Sequence, residues 1–277
     1  MCVTVTATSR AIRSVAANRL TLLRRLTVRE VGARYKGSVL GVLWSLLTPL
    51  LLLSVYAFVF GHVFKSRWSG QDGASSQSMT QFAIVLFAGL TTFQLFSDAV
   101  TRAPAVILGN KNFVKKVVFP LEILPVVLIS TALFQYCVSM SVVLGAVLIT
   151  QGGFSFYALL FPLVIAPMVI LMQGLCWALA ALGLFLRDIN QFLGTLVSAM
   201  LFMSPVFYSR DGLPQPIRDL YLLNPLTIPV EQVRNVLIWG KAPDFTLLAA
   251  YTAVAIVVAV LGWSIFWKLR PGFTDVL

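Results

Sequence analysis

The stretch ILPVVLISTALFQYCVSMSVVLGAVLITQGGFSFYALLFPLVIAPMVILMQGLCWALAALGLFL, residues 123–186, runs for 64 residues without a charged side chain. A membrane-spanning helix needs roughly 20 apolar residues, so this run is too long for one crossing and long enough for two. Gln151, Gly152 and Gly153 divide it into pieces of 28 and 33 residues, and that polar, glycine-rich interruption reads as a turn between two helices. Further uncharged stretches flank it at residues 37–64, 73–97, 189–209 and 245–267. Together they predict an all-α integral membrane protein with six transmembrane helices, at about 39–64, 80–101, 123–149, 156–185, 189–208 and 245–267. Six is even, so both termini lie on one side.

Composition agrees. Of the 277 residues, 58% are hydrophobic and only 11% charged, with a mean hydropathy of +0.89. A soluble domain carries about 25% charged residues, so an ordinary soluble enzyme is excluded. The apolar surplus covers the whole chain and predicts one integral membrane domain over residues 19–277, preceded by a polar tail at 1–18. The net charge of +11 would suggest nucleic acid in a soluble protein, but its distribution explains it better and no nucleic-acid partner is expected. Fifteen Lys and Arg residues fall in the N-terminal segment, the second connection, the fourth connection and the tail, against six in the remaining connections. Cytoplasmic loops carry the excess of basic residues, so both termini are assigned to the cytoplasm. Residues 1–20 have no apolar core and do not read as a cleavable signal peptide.

Two connections are more than loops. Residues 19–36 interleave leucines with arginines, and a helical step places Arg25, Arg29 and Lys36 in one narrow sector, which predicts an amphipathic helix lying in the membrane interface. A merely solvated charge run is the plainer alternative. Residues 204–244 are too apolar for an external loop yet hold six prolines, so they predict short re-entrant or surface helices before the last span.

Much chemistry is missing. There is no GxxxxGK[ST] phosphate loop, so ATP hydrolysis by that route is excluded. His62 is the only histidine, which excludes histidine dyads, HExxH zinc sites and Ser-His-Asp triads. Cys2, Cys137 and Cys176 lie too far apart in sequence to suggest a disulfide framework or a metal site. Ion-coupled carriers usually bury acids within the membrane. Here Asp98 is the one candidate, and pairing with Arg102 one helical turn later is its expected role.

Five quoted segments, in order, carry a resemblance: RYKGSVLGVLWSLLTPLLLLSVYAFVFG (34–61), NKNFVKKVVFP (110–120) continuing to Pro125, FLRDI (185–189), SPVFY (204–208), and Leu213-Pro214 with Leu223-Asn224-Pro225, followed by Arg234 and Gly240. The ordered set resembles the type 2 ABC exporter permeases, most nearly those exporting O-antigen, capsule or teichoic-acid chains. Phe113 stands where the family more commonly has an aliphatic residue, and FLRDI carries a Leu before Arg187 that the family's F-R-D turn lacks. The resemblance implies a homodimeric permease in the bacterial cytoplasmic (inner) membrane, not itself an enzyme. No cofactor is expected on this chain, with ATP and Mg on two separate ATPase subunits. It also implies a lipid-linked glycan as substrate, and coupling to the ATPase through the 19–36 helix and the 110–116 turn. Coupling candidates are therefore Arg25, Arg29, Asn110, Lys111, Phe113, Lys115, Lys116 and Arg187. A pyrophosphate-bearing carrier needs cations at headgroup depth, and Arg34 and Lys36 sit just before the first span. Sugar rings stack on aromatics, which nominates Tyr56, Phe60, Phe93, Phe96, Trp177, Phe202 and Tyr208 for a conduit wall. Two alternatives are a type 2 exporter of small hydrophobic compounds or drugs and a lipid-modifying membrane enzyme; the single histidine disfavours the latter.

Overall fold

The computed structural model describes residues 3–59, 79–114, 119–186, 188–208, 214, 221 and 224–273, with backbone alone for 3–18, 112 and 114. All regular structure among these residues is helical. In chain order the helices are α1 (Val3–Tyr35), α2 (Trp44–Phe58), α3 (Met79–Arg102), α4 (Lys111–Val114), α5 (Ile123–Gln151), α6 (Phe161–Phe185), α7 (Ile189–Met203), α8 (Thr227–Leu237) and α9 (Phe245–Leu269). Residues 3–18, read from sequence as a polar tail, continue the backbone of α1.

The amino acids explain the layering. Phe82 through Ala88 are seven successive buried residues of α3, an all-round apolar segment that belongs at the centre of a bundle. The side chains of α2, α5, α6, α7 and α8 close around it. The outer helices do the opposite. On α9, Val254, Ile256, Val257, Val260 and Leu261 are exposed, and on α2 so are Leu46, Leu50, Leu51, Val55 and Phe58. Such contiguous apolar surface is a liability in water and ordinary against lipid tails.

Among the described residues, five helical stretches are long and apolar enough to cross a membrane: Gly41–Phe58, Thr80–Ala105, Ile123–Gln151, Phe156–Phe185 and Phe245–Gly272. The long uncharged run divides at Gly152, which closes α5 in the left-handed conformation (φ 73°) that glycine adopts without steric cost. By contrast α7 has only 15 residues, about 22 Å, short of the roughly 30 Å hydrocarbon core. It ends early because Ser204 precedes Pro205, whose ring pushes the preceding residue out of the helical region; Ser204 is extended (φ −98°, ψ 149°).

Close packing of α6 on α9 depends on two glycines. A Cβ placed on Gly174 would overlap the backbone at Val258 and Ala259, and one on Gly262 would overlap Gly174. Small residues that let backbones approach are how helices associate where lipid removes the hydrophobic drive between them.

Candidate functional site

At the end of the bundle where α1 lies, charged side chains join α1 to α3. Arg34 donates to Asp98 Oδ2 at 2.8 Å, Arg102 reaches the same oxygen at 3.4 Å, and Arg102 also meets Glu30 at 3.4 Å. The Asp98–Arg102 pairing read from sequence is present, and Arg34 and Glu30 extend it across two helices. Nearby, Tyr35 donates its hydroxyl proton to Gln135 Oε1 (2.8 Å), and the Gln135 amide donates to the Ser45 carbonyl (3.1 Å), tying α1, α2 and α5 together.

This network forms one end of a half-open cleft of about 430 Å³ between α2, α3 and α5. Its walls include Trp44, Leu52, Tyr56, Phe87, Leu90 and Tyr136, with Arg34 and Asp98 at one end. Of the nine residues nominated for substrate contact, Arg34 and Tyr56 line it. Lys36 is exposed just beyond Tyr35. Phe93 and Phe96 do not face the cleft: they are buried in the main apolar core, on the side of α3 turned away from it. Trp177 is likewise away from it, donating its indole N–H to the Glu122 carbonyl (3.2 Å) and meeting Trp263 edge-on at 4.7 Å. Phe202 is 70% exposed and stacks with Phe207, while the Tyr208 hydroxyl contacts the Phe202 carbonyl and the Tyr221 hydroxyl. Phe60 lies outside the described residues.

The two segments nominated for coupling pack on each other. Leu22, Leu23 and Leu26 of α1 share an apolar cluster with Ile123 and Val127 of α5, with Phe113 of α4 and with Phe119 beyond it. Phe113 stacks on Phe119 at 4.5 Å, and the Arg29 guanidinium lies over the Phe113 ring at 5.4 Å. The Phe113 ring, aromatic where the sequence resemblance implies an aliphatic residue, thus contacts both Phe119 and Arg29. The Asn110 side-chain amide donates to the Val106 carbonyl (2.9 Å); Arg25 and Lys111 are exposed. Lys115, Lys116 and Arg187 lie outside the described residues.

Two charged residues gain roles that the sequence reading did not assign. Glu122, 9% exposed at its side chain, faces Arg19 at 3.7 Å and Arg270 at 3.5 Å. Its place as the last charge before the 64-residue run was the available signal. Arg234, counted among the outer-loop cations, is 3% exposed. Its guanidinium donates to the carbonyls of Val85 (3.0 Å), Pro205 (2.6 Å) and Val206 (2.8 Å) and rests on Gly89, where a Cβ would overlap it. One cation therefore pins α8 to α3 and to the chain leaving α7.

Comparison with known proteins accounts for this architecture. The family profile for ABC-2 type transporters matches residues 21–238. The chain belongs to that family. Among similar ABC-2 proteins is the O-antigen export system permease protein RfbA of Myxococcus xanthus, 28% identical over 92% of this chain and 94% of its own length. The protein of the same name from Klebsiella pneumoniae is 27% identical over 92% of this chain and 95% of its length. The polysialic acid transport protein KpsM of Escherichia coli is 23% identical over 85% of this chain and 89% of its length. As a family member with several long apolar helices, the chain is a multi-pass membrane protein and a transporter permease.

Proposed function

We propose that this chain is the membrane permease subunit of an ATP-driven exporter that moves a lipid-linked polysaccharide out of the cytoplasm across the bacterial inner membrane. The observation that carries this reading is end-to-end similarity to permeases named for O-antigen and polysialic acid, over 85–92% of the chain. The reading includes a homodimer of the 19–277 domain, a sixth crossing by α7 and the residues just after it, cytoplasmic termini, and α8 as a short re-entrant helix at the outer mouth. Two ATPase subunits carry ATP and Mg, since this chain has no phosphate loop. Stacking of Arg29 on Phe113 supports coupling by α1 and α4 as one body. The Arg34 end of the cleft supports recognition of a phosphate-bearing carrier there, with Lys36 beside it.

The test has two measurements. The purified chain is expected to show no ATPase activity alone and to gain it when co-expressed with an ATPase encoded beside it. Deletion of the chain is expected to remove a glycan from the cell surface and leave it inside. Hydrolysis by the isolated chain, free of contaminants, or unchanged surface glycan in the deletion strain, would overturn the reading.

A further inference from the structure

We infer that the cleft between α2, α3 and α5 is the seat of the hydrocarbon tail of the exported glycan's lipid carrier, with the carrier's phosphate bound at Arg34. This rests on the proposed export of a lipid-linked glycan and specifies how the lipid part is held.

The shape of the cleft argues for one long, single-tailed amphiphile. On α2 its wall is Trp44, Thr48, Leu52 and Tyr56, residues spaced four apart on one helix face, so the groove runs about 18 Å along the axis. On α3 it runs from Asp98 to Phe87, parallel to that row, and the Tyr56–Phe87 ring contact (centroids 6.4 Å apart) bounds the far end. Leu52, Leu90 and Leu95 make most of the wall apolar, and the cleft is open along its side to the surroundings. A hydrocarbon chain can therefore enter laterally from the bilayer without unthreading.

Charge selects the head. Two cations, Arg34 and Arg102, meet two carboxylates, Asp98 and Glu30, at the end of the groove nearest α1, and the exposed Lys36 follows two residues after Arg34. Asp98 occupies Arg34 with a single oxygen, and a phosphate offers the same guanidinium a bidentate acceptor. Thr91 donates to the Phe87 carbonyl and Gln135 bridges Tyr35 and Ser45, while Thr48, Gln94 and Ser139 also line the wall. Most of the lining surface is nevertheless apolar, as a hydrocarbon occupant requires.

The probe is a long-chain polyprenyl monophosphate bearing a mid-chain diazirine, photolysed in membranes containing the full chain. Labelling is expected on residues 44–56 and 87–98. Leu52→Trp, which fills the cleft from a partly exposed position, is expected to cut labelling at least about tenfold. Leu51→Trp, next to it on the exposed side of α2, is expected to leave labelling unchanged. In Arg34→Gln the advantage of the phosphate over the corresponding uncharged polyprenol is expected to fall about tenfold, the loss of one charge-assisted hydrogen bond. Polyprenol labelling should stay at the wild-type level, showing that the cleft is still folded. The inference is overturned if Leu52→Trp leaves labelling unchanged, if excess phosphatidylglycerol competes as well as unlabelled polyprenyl phosphate, or if Leu52→Trp cells display surface glycan normally. Those outcomes leave the exporter reading standing, because that reading fails separately, in the deletion strain.

Discussion

Arg234 is the residue whose environment differs most from what its type suggests. A buried guanidinium is costly unless its donors are satisfied, and here three of them meet backbone carbonyls on α3 and on the chain after α7. Lysine has three donors on a flexible stem and no planar fork, so it cannot reproduce that arrangement. Arg234→Ala strands the carbonyls of Pro205 and Val206, each worth about 1–3 kcal/mol when buried and unpaired, and takes the second bond from that of Val85 within α3. We expect a loss of about 3 kcal/mol or more, seen as a lower melting temperature in detergent, with Arg234→Lys only partly restoring it. An alanine variant as stable as the wild type would show that α8 does not depend on this anchor. The sequence supplied Arg234 as a cation near an outer loop; its place one turn after Val230 and one turn before Leu237, on the apolar stripe of α8, was the signal available for its burial.

At the scale of elements, what was legible depended on how local the determining signal is. The split at Gly152 and the five long helices follow from charge-free runs and a glycine turn, signals carried within about thirty residues. The early end of α7 follows from a single dipeptide, Ser204-Pro205, and was readable, yet hydropathy alone carries the span past it to residue 208. The sorting of aromatics was not readable: Phe93, Phe96 and Tyr56 are alike in an apolar run, and only the packing of α3 between five helices buries the first two while Tyr56 borders the cleft. Two element-level predictions follow from contacts. Gly262→Leu must push α9 off α6, since Gly174 already lies where a Cβ would go. Its expected result is a sharp fall in folded protein, whereas Leu261→Gly on the exposed side should change the yield little. Phe113→Ala removes the ring between Arg29 and Phe119, so α1 and α4 lose their direct link. Membrane insertion should be unaffected, while hydrolysis by the assembled complex should no longer respond to glycan supply. Retained coupling in that variant would assign the transmission to the leucine face of α1 alone.

For the whole molecule, the decisive geometry is where α1 and the end of α9 meet at Glu122. Arg19, midway along α1, and Arg270 after α9 both reach the carboxylate of Glu122, at 3.7 and 3.5 Å. They therefore lie on one face of the bundle, the face that also holds the end of α3 and the beginning of α5. The proposed six crossings are even in number, and the long apolar helices among the described residues are five. In that reading α2 leaves this face, α3 returns to it, α5 leaves and α6 returns. With α9 finishing beside Glu122 it starts on the far face, and the proposed reading has α7 carry the chain across. Its helix spans about 22 Å, and residues 204–208 turn at its end, where Phe207 stacks on Phe202. The basic residues agree: with Arg234 withdrawn into the interior, fewer outer cations oppose the fifteen inner ones. The check is cysteine accessibility in right-side-out spheroplasts, after replacing Cys2, Cys137 and Cys176. Leu20→Cys and Lys268→Cys should react with an impermeant maleimide only after permeabilisation, and Ser75→Cys should react beforehand. If Lys268→Cys labels in intact spheroplasts while Leu20→Cys does not, α7 fails to cross, α1 and the end of α9 cannot share Glu122 in the membrane, and a five-span topology replaces the six-span one.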